Sequence, residues 1–219
     1  MKFTENDIRP NAFKTAMEEA LQKDLDSLVS KKASFVMVSC PACGSLNNHF
    51  AFEKYSFRFV CCDQCDTIYM NPRATQEILK DFYANSVLYD YWNRYVFPAS
   101  KEVRRKKIFK SRVKRILEIC ESYNVAMHCL IEVGAGYGIF CEEMKKRGRF
   151  KHIIAVEPNA ELAESCSSVG VEVINDSIEN IHSLKTSPNL IACFEVIEHL
   201  FSPEAFLLHC KHLVCGSWN

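Results

Sequence analysis

The 219-residue chain has no long hydrophobic run, no excess of either charge and no apolar segment behind its first residue. Each absence removes a class of protein. Mainly apolar stretches such as Leu190 to Val196 fall far short of the ~20 residues that a membrane helix needs. The start, Met1-Lys-Phe-Thr-Glu-Asn-Asp, is polar and is neither a secretory leader nor an anchor, so a cytoplasmic protein with no membrane partner is expected. Lys plus Arg and Asp plus Glu number 27 each, and that balance gives no argument for nucleic acid as a partner. Internal repeats and low-complexity tracts are also missing. With 48% hydrophobic and 25% charged residues, the composition is that of a globular protein.

Cysteine, by contrast, is abundant at 12 residues. In a reducing compartment, clustered thiols read as metal ligands rather than disulfides. Cys40-Pro-Ala-Cys43-Gly44 and Cys62-Asp-Gln-Cys65 form two CxxC pairs with 18 residues between them. Each such turn presents two thiolates to one ion, and an intervening hairpin brings the pairs together around zinc. Four unrelated buried thiols would not explain the paired spacing. Cys61 competes with Cys62 for the third position, and Asp66 stands where such knuckles usually carry glycine. With four protein ligands the ion has no open position, so its expected role is structural. The other cysteines, at 120, 129, 141, 166, 193, 210 and 215, fall in strand or helix patterns and are expected to be small core residues.

Apolar residues Phe13, Met17, Leu21, Leu25 and Leu28 recur at helical spacing, and Phe35 to Val38 reads as a short strand. A helix capped by Thr75 follows the Asn71-Pro72-Arg73 turn. Residues 82–97 are rich in aromatics and are expected to pack or to form a lid over a substrate. Pro98 is expected to break the chain before a helix capped by Ser100. Residues 101–115 of that helix carry nine Lys or Arg against one Glu. The ordinary reading is a solvated face with Val103, Ile108, Val113 and Ile116 turned inward; the functional one is attraction of a phosphorylated acceptor. Beyond it, apolar runs at 129–133, 153–156, 171–174 and 190–194 alternate with helical patterns at 139–147, 160–168 and 203–214. That alternation implies a parallel sheet with helices on both faces.

Three glycines, Gly134, Gly136 and Gly138, stand directly after the first of these strands and before a helix, with Glu132 two positions ahead. Such a loop lets the backbone approach a ligand closely. Glu157 ends the second strand, placed to accept two ribose hydroxyls, and Asp176 follows the third, placed for an adenine amino group. In this order and at these intervals, over roughly residues 100–216, the sequence resembles the class I S-adenosylmethionine-dependent methyltransferases. Phe194-Glu195-Val-Ile-Glu198-His199-Leu200 is similar to the EVxEH signature of O-methyltransferases acting on quinones and small molecules. The CPxCG, CxxC, Asn71-Pro72-Arg73 and Tyr91-Trp92-Asn93 segments look like the zinc-binding arm of methyltransferases tied to sugar modification.

The resemblance implies an S-adenosylmethionine site built from Glu132, Gly134, Ala135, Gly136 and Gly138 at the methionine portion. Glu157 with Pro158 would serve the ribose, Asp176 with Ser177 the adenine, and Glu195 would lie near the cofactor. His199 is the candidate base, since an imidazole suits proton abstraction near neutral pH; the alternative is a packing role at the strand end. Glu195, Glu198 and His199 together admit a second reading as a Mg2+ or Mn2+ site, as in metal-dependent relatives that include RNA ribose methyltransferases. No DPPY or NPPY follows the fourth strand, which argues against N-methylation of bases or glutamine, and the lysine-based tetrad of ribose methyltransferases is absent.

The expected architecture is therefore α/β: residues 1–98 hold a helix, a zinc ribbon and an aromatic arm, and 99–219 an incomplete Rossmann-like sheet of about four strands. The expected acceptor is a small molecule or sugar, phosphorylated or nucleotide-linked, methylated on oxygen or carbon. The resembling family has seven strands. The expectation that follows is a truncated chain whose fourth strand is an exposed edge, which leaves a non-catalytic zinc-ribbon protein as a further alternative.

Overall fold

The computed structural model describes residues 3–215. The chain divides into two compact units. One takes in Pro10–Val96 with Phe201–Glu204; the other takes in Phe97–Leu200, the N-terminal residues up to Arg9 and the C-terminal residues from Ala205. Among the described residues no helix is long and apolar enough to cross a membrane.

In the Pro10–Val96 unit, α1 (Lys14–Ser30) precedes an antiparallel sheet of β1 (Asn48–Lys54), β2 (Phe57–Cys62) and β3 (Ile68–Met70). The β1–β2 hairpin turns through Tyr55 and Ser56, both at positive φ (52° and 64°), the backbone that a right-twisted two-residue hairpin demands. Phe52 stacks on Phe59 across it at 4.9 Å. Helices α2 (Gln76–Asn85) and α3 (Val87–Tyr91) and a π turn at Trp92–Val96 complete the unit. Thr75 caps α2, its hydroxyl accepting from the Ile78 N–H, as the sequence predicts.

One expectation here needs correction. The strand at Phe35 to Val38 is a single bridge between Val36 and Arg73. Pro72 has no N–H to continue a ladder, and the Asn71 side chain serves both the N–H and the carbonyl of Val38 instead. In α1, the acidic Asp24 is buried. Its carboxylate accepts from the Ser86 hydroxyl and the N–H groups of Val87 and Leu88, capping α3 from another helix.

The other unit begins with α4 (Phe97–Arg104), a π turn (Arg105–Phe109) and α5 (Lys110–Ser122). Pro98 sits within α4, and Ser100 accepts from Arg104 Nε instead of capping a helix. A parallel sheet follows: β4 (Cys129–Val133), β5 (His152–Val156), β6 (Glu172–Ile174) and β7 (Leu190–Cys193), in the order β6-β5-β4-β7. Helices α6 (Ile139–Arg147), α7 (Ala160–Ser168) and α8 (Pro203–Cys215) connect or follow the strands. All five residues of β4 are buried, because this central strand has a neighbour on each side and a core on each face. Leu130 points into a cluster with Phe140 and Met144; Ile131 points into another with Ile178 and Phe206. This is the α/β sheet that the strand–helix alternation predicts.

The basic helix departs from expectation in one respect. Arg105 is buried, not solvated, and binds Glu143 and Glu142 of α6 at 2.7 Å each. A π turn adds a residue to the helix, and that shift turns Arg105 from the outer face toward α6. Of the remaining cysteines, those at 120, 129, 141, 166 and 210 are buried and Cys193 half-buried, whereas Cys215 is exposed.

Candidate functional site

In a parallel sheet the carboxyl ends of all strands lie on one edge. The strand order here changes direction between β4 and β7, and the crevice outside such a point is where α/β sheets hold ligands. Every residue predicted for the cofactor lies in or just beyond β4 to β7 at that edge.

The glycine loop leaves β4 with the N–H groups of Gly134 and Ala135 both directed to Val156 O of β5. Gly134 is left-handed at φ +71°, and a Cβ there would come within 2.7 Å of Val196 Cγ2. No larger residue fits without displacing the segment after β7. Gly136 is also left-handed, at φ +55°, but a Cβ would meet nothing within 4 Å. The loop backbone is therefore open on that side. The N–H of Gly136 is donated to Glu157 Oε2 at 2.8 Å, and Glu157 Oε1 accepts from the Asn159 N–H at 3.0 Å. Burial pushes the Glu157 carboxyl up, and these two N–H donors pull it back.

Glu132 is enclosed within the sheet edge at 2% exposure. The Cys141 thiol donates to its Oε2 at 3.0 Å, and burial pushes its carboxyl up to about 8. The Cys166 thiol holds the other side of the loop, donating to Gly136 O at 3.0 Å. Beyond β6, Asp176 Oδ1 accepts from the Ser177 N–H and from Asn180 Nδ2, and Asn175 binds the carbonyls of Glu157 and Pro158.

After β7, Glu195 stands at φ +57°, a strained backbone for a non-glycine residue. Its carboxylate pairs with Arg112 Nη2 at 2.6 Å, and Arg112 lies 4.6 Å from the Phe194 ring centroid. Glu198 and His199 fall in a short 3-10 turn, Ile197–His199, the first exposed and the second half-buried. Glu195, Glu198 and His199 do not converge: among the described residues the four predicted cysteines make the one group spaced to hold a metal ion.

That group is compact. All four sulfur atoms lie within 4.8 Å of one another, with Cys40 to Cys65 at 3.6 Å and Cys43 to Cys62 at 3.5 Å. A tetrahedron of 2.3 Å Zn–S bonds has an edge of about 3.8 Å. The two knuckles repeat each other. Gly44 N–H returns to Cys40 O and Asp66 N–H to Cys62 O, with Gly44 at φ +74° and Asp66 at φ +58°. Asp66 thus occupies the glycine position in the glycine conformation. Hydrogen bonds from the Thr67 hydroxyl and N–H draw the Cys65 thiol down to about 6. A hydrogen bond from the Ser45 backbone also lowers Cys43, but the neighbouring thiols outweigh it and push that group up to about 12. Four thiols this close cannot all ionise without a cation among them. Cys62 belongs to the group and is buried; Cys61 lies one residue off, half-buried on the other face of β2.

Arg112, Cys141 and Cys166 are absent from the sequence reading of the site. Arg112 is one of nine similar charges in its helix, and the two thiols look like ordinary core residues. Only the fold shows which of them meet the loop.

A family model described as a methyltransferase domain matches residues 100–214. No curated protein is a match. Solved structures that resemble the chain include an S-adenosylmethionine-dependent methyltransferase from Clostridium acetobutylicum (19% identity, 56% of this chain and 51% of that one, TM-score 0.45). CalS10, an amino pentose methyltransferase from Micromonospora echinaspora, shares 16% identity over 52% of this chain and 48% of its own, at a TM-score of 0.44. A possible histamine N-methyltransferase from Thermotoga maritima shares 20% over 57% and 56%, at 0.43. The chain spans about half the length of these proteins.

Proposed function

The chain belongs to the methyltransferase-domain family, and from that premise we propose that it transfers a methyl group from S-adenosylmethionine to a small-molecule or sugar-type acceptor, on oxygen or carbon. One observation carries the reading. The buried Glu157 carboxylate reaches across to the Gly136 N–H, so the acidic residue after β5 and the glycine loop after β4 form one open-sided pocket wall.

In this reading Glu132, Gly134, Ala135, Gly136 and Gly138 hold the methionine portion, Glu157 and Pro158 the ribose, and Asp176 and Ser177 the adenine, with Glu195 beside them. When bound, S-adenosylmethionine supplies an electrophilic methyl on a good leaving group. The chain's own task is alignment and, for a hydroxyl acceptor, proton removal. We assign the proton to His199, in the turn that follows β7. Glu195, already paired with Arg112, orients that turn, and Glu198 stays at its surface. A catalytic Mg2+ or Mn2+ is not part of this reading, because Glu195, Glu198 and His199 form no ligand group. Zinc at Cys40, Cys43, Cys62 and Cys65 fits the thiol tetrahedron and, with four protein ligands and no open position, would hold the ribbon in a structural role. The acceptor in this reading is a phosphorylated or nucleotide-linked sugar, supported by the exposed positive charges of residues 101–115, such as Lys106, Lys107 and Lys110.

Calorimetric titration with S-adenosylhomocysteine tests the cofactor assignment. Wild-type protein is expected to bind it, and Glu157→Ala to bind about tenfold to a hundredfold more weakly, as loss of a charged hydrogen-bond acceptor requires. Gly134→Ala is expected to bind none. An absence of heat with the wild type at millimolar ligand refutes the reading; unchanged binding by both variants refutes the site.

A further inference from the structure

Glu132 stands near the carboxyl end of the central strand, and the strands beside it offer it nothing polar. Its register partners are Ala155 in β5 and Ala192 in β7, both buried. Neighbours paired in this way share a face of the sheet, so a methyl group stands on either flank of the carboxyl. Glu132 also shares its face with Leu130, two residues earlier, and that is the face α6 covers: Leu130, Phe140 and Cys141 lie in one core cluster.

The hydrogen bonds that hold this carboxyl come from a single residue of α6. The buried Cys141 thiol donates to Oε2 at 3.0 Å. The Cys141 N–H, in the first turn of the helix where backbone donors lack helical partners, adds to the hold. The other charged or titratable groups around it are committed elsewhere. Arg112 of α5 attracts the carboxylate but gives its Nη2 to Glu195. Glu157, after β5, repels it and takes the N–H groups of Gly136 and Asn159. The Cys166 thiol of α7 goes to Gly136 O.

A thiol is a weak donor, and its weakness matters here. A strong donor at this place would favour the ionised carboxylate, and no donor would leave a buried acid that keeps its proton. The thiol lies between these cases. Burial pushes the carboxyl up to about 8 and Cys141 draws it back, so near neutral pH the group holds a proton that an arriving cation can displace.

We propose that Cys141 is a positioning residue of the cofactor site: its thiol and its N–H fix the orientation in which Glu132 receives the ammonium of the cofactor's methionine portion. This assignment rests on the methyl-transfer reading and adds to it a residue that acts through Glu132. When the ammonium arrives, the Glu132 proton leaves to solvent and the thiol donates to the carboxylate that remains. Binding near neutral pH is thereby coupled to proton release.

The test is calorimetric titration of the zinc-loaded full chain with S-adenosylhomocysteine, from about pH 6 to about pH 8.5, in buffers of different ionisation enthalpy. Wild-type affinity should rise with pH, and protons should be released on binding. Cys141→Val keeps the volume and loses the thiol donor. It should bind about tenfold more weakly below pH 7, with the rise displaced upward by about one pH unit, so that the deficit shrinks toward pH 8.5. Cys141→Ser keeps a donor, and its rise should fall at or below the wild-type pH. A purely structural defect would weaken binding equally at every pH. A pH-independent deficit in Cys141→Val, or wild-type behaviour in that variant, overturns the assignment. So does an upward displacement in Cys141→Ser, which decides alone where Cys141→Val does not fold. Wild-type protein that binds no S-adenosylhomocysteine refutes the methyl-transfer reading and this assignment with it, whereas binding by wild type with Cys141→Val unchanged refutes the assignment alone.

Discussion

Glu132 is a carboxyl group enclosed in protein, with a thiol donating to one oxygen and its pKa pushed up to about 8 by burial. Arg112 pulls that value down and Glu157 pushes it up. In the unfolded chain the same group titrates near 4.5. Between those two values the folded protein holds a proton that the unfolded chain has lost, so folding takes up a proton. The stabilisation is therefore complete below about 4.5 and is lost as pH rises through about 8. Urea midpoints are expected to fall from about pH 5 to about pH 8.5 in the wild type, and to fall much less in Glu132→Gln. Equal pH slopes in the two proteins would show that Glu132 is not the group responsible. If Glu132 holds the methionine portion as proposed, a cofactor ammonium beside it would require the ionised form, and affinity for S-adenosylhomocysteine should rise over the same pH range in the wild type and not in Glu132→Gln.

At the scale of the element, the π turn at Arg105–Phe109 carries consequences that composition does not reveal. Nine basic residues in 101–115 look interchangeable, yet the extra residue of the turn brings Arg105 against α6, where its side chain is 11% exposed and that of Glu143 is 6% exposed. Removing Arg105 leaves Glu142 and the buried Glu143 with Lys146 as their remaining cation. Arg105→Met should cost about 1.5–3 kcal/mol in urea denaturation, whereas Lys106→Met on the exposed side of the same turn should stay within about 0.5 kcal/mol. Similar costs for the two would mean that α5 and α6 are held by apolar packing alone. The ribbon shows the opposite case, an element whose chemistry is legible in advance. Two CxxC turns must each return a backbone N–H to their first cysteine, and they do so at Gly44 and Asp66 alike. Cys62 rather than Cys61 joins the group because Val60 and Cys62 share the buried face of β2.

At the scale of the molecule, each unit has a core of its own. Leu130, Phe140 and Ile131 centre the two faces of the parallel sheet, while Cys40, Val60, Cys62 and Tyr69 make the small core of the ribbon. A core of that size would depend on the zinc of the proposed reading, since a structural zinc contributes about 10–16 kcal/mol in zinc-finger peptides. Chelation of the zinc-loaded protein should therefore remove amide protection from β1, β2 and β3 in hydrogen exchange while β4 and β5 stay protected. Loss of protection in both sheets together would show that the units unfold as one.

What the sequence by itself determined is local and periodic: the paired cysteines, the three glycines after a buried strand, the carboxylate after the next strand, and the strand–helix alternation that permits only a parallel sheet. These follow from short-range chemistry, where a spacing of two to five residues decides which atoms meet. What the tertiary structure decided is which face each residue takes and what it meets across the chain. Asp24 became a buried cap, Arg105 turned inward, and Arg112 came to pair with Glu195, 83 residues further on. Rotation by a single inserted residue, and the packing of one helix on another, leave no periodic trace in the sequence.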